Sequence, residues 1–167
     1  MYKLDTIQNK IVKQSDLINK VKIWKFLEKD IVFTNGCFDL LHTGHIHVIN
    51  ESASLGNFLV IGLNSDESIK RLKGPHRPIQ NEYARSLILA SLTFVSSVVI
   101  FNEDTPLELI KTIKPNTITK GGDYNSNNII GADFIKTYGG KIKIINYIEG
   151  NSTTLIESKV KNSHTKC

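Results

Sequence analysis

The chain has 167 residues, 40% of them hydrophobic and 22% charged, enough for one compact domain with a sizeable core. No apolar run approaches the roughly 20 residues needed to cross a bilayer, and the opening Met-Tyr-Lys-Leu-Asp lacks a secretory signal's apolar stretch, which points to the cytoplasm. The net charge of +5 suits either a polyanion such as nucleic acid or a small phosphate-rich ligand. The cations form no dense block and no aromatic-interleaved stripe, which disfavours nucleic acid. Cys37 and Cys167 make neither a disulfide framework nor a metal-ligand spacing, so both read as free thiols.

The polar ends, Met1 to Gln14 and Lys161 to Cys167, read as loose. Residues 1–30 form an N-terminal segment with one helix, 31–160 the main domain and 161–167 a tail. That helix is predicted over Asp16–Lys29, with Ser15 as cap and Leu17, Val21, Trp24 and Leu27 on one face. Ile31–Asn35 is an apolar, β-branched strand, followed by a helix over Gly44–Leu55 that Gly56 stops. Phe58–Leu63 is a second strand, Asn81 caps a helix to Leu92, and Ser97–Phe101 is a third strand. Thr105, Pro106 and Glu108 predict a capping box at the next helix start. Thr117–Thr119 is a short fourth strand, and a helix over Ile129–Tyr138 ends at Gly139-Gly140. Lys141–Asn146 is the fifth strand, and Ser152 caps a last helix to Lys161. Apolar strands alternating with helices predict an α/β fold: a doubly wound, mainly five-stranded parallel Rossmann-like sheet with helices on both faces. Such sheets bind ligands beyond the carboxyl ends of their strands, at the switch in strand order. Each polar motif falls just after a predicted strand.

In the first motif, Thr34-Asn35-Gly36-Cys37-Phe38-Asp39-Leu40-Leu41-His42-Thr43-Gly44-His45, a strand runs into a glycine turn and two histidines flank a glycine where a helix begins. Free N–H groups at a helix start suit phosphate, and the imidazoles add directed donors. Capping or packing is the plainer role for a lone histidine and the one His47 suggests, but two histidines around a glycine at a strand-to-helix junction, after Gly36 and Asp39, point to a ligand instead. Gly150-Asn151-Ser152-Thr153-Thr154 places three hydroxyls at a helix start, able to cap it or to hold phosphate oxygens. Lys120-Gly121-Gly122-Asp123-Tyr124 is either a plain turn or a close backbone approach with a cation and a carboxylate. Asn64-Ser65-Asp66, Arg71-Leu72-Lys73-Gly74 and Pro75-His76-Arg77-Pro78 form a basic stretch that is either solvated or closes over anions.

In this order, the segments resemble the nucleotidyltransferase superfamily marked by a His-x-Gly-His motif. "TNGCFDLLHTGH", "GLNSDESIKRLKG", "RPI", "FNEDTPLELI", "KGGDY" and "GNSTT" are similar to the D-glycero-β-D-manno-heptose 1-phosphate adenylyltransferase domain, over roughly Ile31 to Ile156. The resemblance implies that ATP and the sugar 1-phosphate combine to ADP-heptose, a lipopolysaccharide precursor, and pyrophosphate. It implies catalytic roles for His42, His45 and Lys73. Thr34, Asn35, Gly36, Phe38, Asp39 and Gly44 would then hold nucleotide. Lys120, Gly121 and Asp123, with Ser152, Thr153 and Thr154, would do the same from the other loops. Asn64, Asp66, Arg77 and Arg85 would meet the substrate. Mg²⁺ is expected to travel with the nucleotide rather than on protein side chains, and the family suggests a homodimer. In many bacteria the domain is fused to a sugar kinase, whereas the single helix ahead of Ile31 suggests the stand-alone form. Two rivals stay open: a cytidylyl- or guanylyltransferase for another small phosphate ester such as glycerol 3-phosphate, and a non-catalytic nucleotide- or nucleic-acid-binding module.

Overall fold

The computed structural model describes residues 4–122, 129–146, 153 and 156–159. Its elements run α1 (Leu4–Gln8), β1 (Ile11–Val12), α2 (Gln14–Phe26), β2 (Ile31–Gly36), α3 (Thr43–Ala53), β3 (Phe58–Asn64), α4 (Asp66–Lys73) and α5 (Glu82–Ser91). They continue with β4 (Ser97–Phe101), α6 (Leu107–Ile113), β5 (Thr117–Gly121), α7 (Ala132–Lys136) and β6 (Lys141–Ile145). The strands lie side by side in the order β1-β4-β3-β2-β5-β6, and all the pairings are parallel.

A parallel sheet is covered on both faces, so its central strands are apolar throughout rather than alternating. Six of the seven residues of β3 are buried. Successive side chains still point to opposite faces. Phe33, Val60, Val99 and Ile118 meet α2, α6 and α7 through Leu17, Trp24, Ile110 and Ile135. Val32, Leu59, Ile61 and Val98 meet α3 and α5 through Ile49, Leu89 and Ala90. Each such side chain removed from water is worth about 1.5–3 kcal/mol, and together they fix which strand ends share a rim.

The expected doubly wound α/β sandwich is present, with six strands instead of five. The sixth is β1, whose Ile11 and Val12 pair with Val98 and Val99 at the sheet edge. A two-residue strand shows no periodicity, so the segment expected to be loose instead holds α1 and β1. The helix α2 starts at Gln14, with Lys13 at the cap and no side-chain cap bond; Ser15 lies inside it. It stops at Phe26 instead of Lys29, leaving Leu27 53% exposed, and Glu28 turns the chain at φ 54. At α6 the cap is Pro106 without a side-chain bond, so the expected box at Thr105 does not form. The helix α7 is shorter than expected, and α4 was not anticipated, because its residues read as a basic loop. Asn81 does cap α5, accepting the Ala84 N–H at 2.8 Å. Ser152 and the tail 161–167 lie outside the described residues, whereas Thr153 and residues 156–159 are helical.

Candidate functional site

From β2 the chain moves to β3 and β4 on one side, then returns to lay β5 on the other. That reversal opens a crevice beyond the carboxyl ends of β2 and β5. A cavity of about 440 Å³ occupies it. Thr34, Asn35, Gly36, Phe38 and Asp39 line it from β2 and the following loop, and His45 from α3. Asn64, Lys73, Lys120, Gly121 and Thr153 reach it from four other segments. A larger cavity of about 740 Å³ opens at the other end of the sheet, by Lys25, Lys114 and Lys143, and gathers none of these residues.

His42 is the N-cap of α3: its Nδ1 accepts the His45 backbone N–H at 3.4 Å. With Nδ1 used as an acceptor, the ring proton of neutral His42 belongs on Nε2, where it can donate away from the helix. The His42 and His45 rings stack at 3.8 Å, and Phe38 meets His45 edge-on at 5.3 Å. Phe38 takes a left-handed backbone at φ 46. A Cβ on Gly36 would come 3.1 Å from the Phe38 ring, so glycine there keeps the ring under the turn. Burial lowers the pKa of His42. Burial, then the neighbouring His42 and more weakly Lys73, lower that of His45 to about 4, against a smaller opposing pull from the Leu40 carbonyl. Both shifts favour the neutral imidazole at pH 7.

Lys120 leans across the crevice from β5 and donates to the Asn35 carbonyl at 3.0 Å. Burial pulls its pKa down to about 8, opposed by Cys37. Among the described residues no carboxylate pairs with it. The adjacent Asn35 Oδ1 is buried and unpartnered among them too. Among the described residues, a cation without a counterion beside an acceptor without a donor suits phosphate next to hydroxyl or N–H groups.

Other candidates are already engaged by the protein or lie outside the cavity lining. Arg85 is buried, and its guanidinium donates to the carbonyls of Gln80, Cys37 and Asn64 at 2.7–2.9 Å and to Asp66 Oδ1 at 2.6 Å. With every nitrogen engaged it supports the rim instead of meeting substrate, and Asp66 is its partner. Asp39 is also occupied: Oδ2 accepts Arg77 at 2.8 Å, and Oδ1 accepts the N–H groups of Ile79 at 2.8 Å and Gln80 at 3.1 Å. Burial disfavours its charge, but the Gln80 N–H, Arg77 and the Ile79 N–H outweigh that and hold its pKa below the ordinary value. Gly44 is buried in the first turn of α3, outside the cavity lining. Asp123, Ser152 and Thr154 lie outside the described residues.

The structure adds contributors that the sequence reading did not assign to the site. Asp104, Thr105 and Pro106 line the cavity from the turn after β4, and Leu72, Ile129 and Ile130 form an apolar border. Their signal was position alone, since "NEDTP" follows a strand end as the other motifs do. Arg71 holds Asp104 at 2.8 Å, and Ser65 holds Asn102 at 2.7 Å, which ties α4 to that turn and leaves Lys73 at its free end.

The cytidylyltransferase-like family model matches residues 33–156. The chain is 46% identical over 152 residues to the bifunctional protein HldE of Syntrophotalea carbinolica, covering 91% of this chain and 31% of that protein. It is 47% identical over 151 residues to the bifunctional protein HldE of Geobacter metallireducens, covering 90% and 31%. The chain thus spans about a third of the length of these curated relatives. Among solved structures it is similar to the lipopolysaccharide core biosynthesis protein from Thermoplasma volcanium, with a TM-score of 0.58 and 30% identity over 74% of this chain and 99% of that one.

Proposed function

The chain belongs to the cytidylyltransferase-like family, and from that premise we propose that it transfers a nucleotidyl group to a sugar 1-phosphate and releases pyrophosphate. The observation that carries the reading is the convergence of His45, Lys73, Lys120 and Thr153 on one crevice at the strand-order switch. Binding alone does not require a neutral imidazole, stacked on a second one, and two lysines around a single cavity.

A phosphate monoester loses its second proton near pH 6, so its oxygen attacks the α-phosphorus without a protein base. That suits histidines held neutral. Their task is to donate as charge grows on the phosphorus centre, and most of the catalysis is positioning and charge stabilisation. His42 and His45 serve that centre, Lys73 offsets charge between the reactants, and Lys120 meets phosphate from across the crevice. Thr153, with the neighbouring Ser152 and Thr154, holds the β- and γ-phosphates.

The described residues contain no group of three or more His, Cys, Asp or Glu arranged to hold a metal, and Asp39 spends both oxygens on protein donors. Mg²⁺ would be carried by the triphosphate and its waters, because it usually binds through substrate phosphates and keeps several waters. When bound there, the ion offsets phosphate charge and orders the tail.

The preferred substrates are ATP and D-glycero-β-D-manno-heptose 1-phosphate, giving ADP-heptose for lipopolysaccharide. The motif resemblance and the HldE relatives support this choice. Residues 31–160 make the catalytic domain, with residues 1–30 adding an edge strand and a covering helix. A cytoplasmic homodimer is the working form; no helix among the described residues is long and apolar enough to cross a membrane.

Pyrophosphate release measured with ATP, GTP and CTP against heptose 1-phosphate and glycerol 3-phosphate tests the reading. ATP with heptose 1-phosphate should be the fastest pair. Preferred turnover of CTP with glycerol 3-phosphate would establish the cytidylyl rival. No turnover, with nucleic-acid binding that falls steeply with salt, would establish a binding module.

A further inference from the structure

We propose that Arg77 is a positioning residue that ties the histidine loop to Glu157, four residues after Thr153, so that two phosphate-facing parts of the crevice are held in one register. The proposal rests on the nucleotidyl-transfer reading and assigns Arg77 a task other than substrate contact. Asp39 lies three residues before His42 and is 4% exposed. It accepts one terminal nitrogen of Arg77 at 2.8 Å. The other terminal nitrogen reaches Glu157 Oε1. Thr153 and Glu157 are both helical. The relay Asp39–Arg77–Glu157 therefore runs from the start of the His motif to a carboxylate four positions after a hydroxyl at the crevice.

The segment carrying Arg77 is itself anchored. It begins after Lys73 at Gly74, whose φ of 96 turns the chain, and the Arg77 N–H returns to the Gly74 carbonyl at 3.1 Å. Asp39 takes the N–H groups of Ile79 and Gln80, and Arg85 takes the Gln80 carbonyl. A planar fork holds two carboxylates at fixed, separated positions, a geometry that a lysine's compact ammonium does not reproduce. The same two carboxylates oppose a direct role with substrate, because an anion would have to displace both to reach the guanidinium.

A double-mutant cycle on the full chain tests this, with Arg77→Ala, Glu157→Gln and the double variant, plus Arg77→Lys. Small misplacements at phosphoryl centres are costly, so kcat should fall about ten- to hundredfold in Arg77→Ala and in smaller measure in Glu157→Gln. The double variant should be no worse than Arg77→Ala, because the two act as one unit. Arg77→Lys should restore little, and the KM for sugar phosphate should stay within about twofold. A raised sugar-phosphate KM with normal kcat and a silent Glu157→Gln would make Arg77 a substrate contact and overturn the proposal. Effects that multiply would overturn it too. If the wild type releases no pyrophosphate with any pair, the transfer reading fails separately. The same cycle on ATP affinity by calorimetry then decides the tie, with non-additive losses expected and additive ones refuting it.

Discussion

The imidazoles of His42 and His45 lie face to face, 26° from parallel, with the first ring capping the helix on which the second stands. One histidine thus sets the direction of the other, and the pair presents its donors from a fixed platform. Removing a donor that strengthens only in the transition state costs about 2.7–4 kcal/mol. His45→Ala should therefore lose about a hundred- to thousandfold in kcat while its circular dichroism and melting behaviour stay close to wild type. A folded variant with near-normal pyrophosphate release would remove His45 from the chemistry.

Acid should weaken the fold through the same ring. His45 has a pKa of about 4 in the folded protein against an ordinary 6.5, so the folded state holds its neutral form more firmly than the unfolded chain does. The resulting stability is complete above pH 6.5 and drains as pH falls toward 4. Urea midpoints should fall across that window in the wild type and fall less in His45→Gln. Asp39 does not confound the window, since its depressed pKa places its own loss below the ordinary 3.8. Parallel curves for the two proteins would contradict the assignment.

Alkali should loosen nucleotide through Lys120. Its ammonium is intact below about pH 8, and charge on the crevice wall disappears as pH rises through that value. ATP affinity in the wild type should decline above about pH 8, whereas Lys120→Arg, charged throughout, should show a flat profile. Calorimetric titrations on both sides of that pH decide it. A flat wild-type curve would mean that this amine does not face phosphate.

Arg85 should prove a matter of stability first. Its side chain is 0% exposed, and Arg85→Ala would leave three carbonyls and Asp66 without their donor. Breaking a buried pair of this kind costs about 3–5 kcal/mol, to be read from urea denaturation. Arg85→Lys should recover only part of it. An Arg85→Ala protein of wild-type stability but impaired sugar-phosphate binding would return this residue to the substrate site.

The architecture was legible because burial on both faces leaves uninterrupted apolar strands, as at Phe58–Asn64, and because Asn81 caps its helix by local chemistry. The His motif was legible for a similar reason, since the turn, the glycine and both rings lie close together in the chain. What stayed hidden depends on distant partners. Asp39 and Arg77 carry the charges expected of ligand contacts, and only their pairing across 38 positions shows them occupied. Arg85 looked like one more cation on a helix until the fold closed four acceptors around it. Thr105 read as a cap because its spacing was right, yet Pro106 took the cap and left Thr105 facing the crevice. Local pattern reveals backbone habit; it does not reveal which polar group is already spoken for.

The brief ladder from β1 to β4 has a practical side. Ile11 and Val12 shield a rim of the sheet whose next row is Val98 and Val99, both fully buried. Trimming the chain to residue 14 would bare that hydrophobic hem along with its unpaired amides, an open invitation for a second molecule to zip on. Ile11 and Val12 thus cover the sheet edge farthest from β5 and β6.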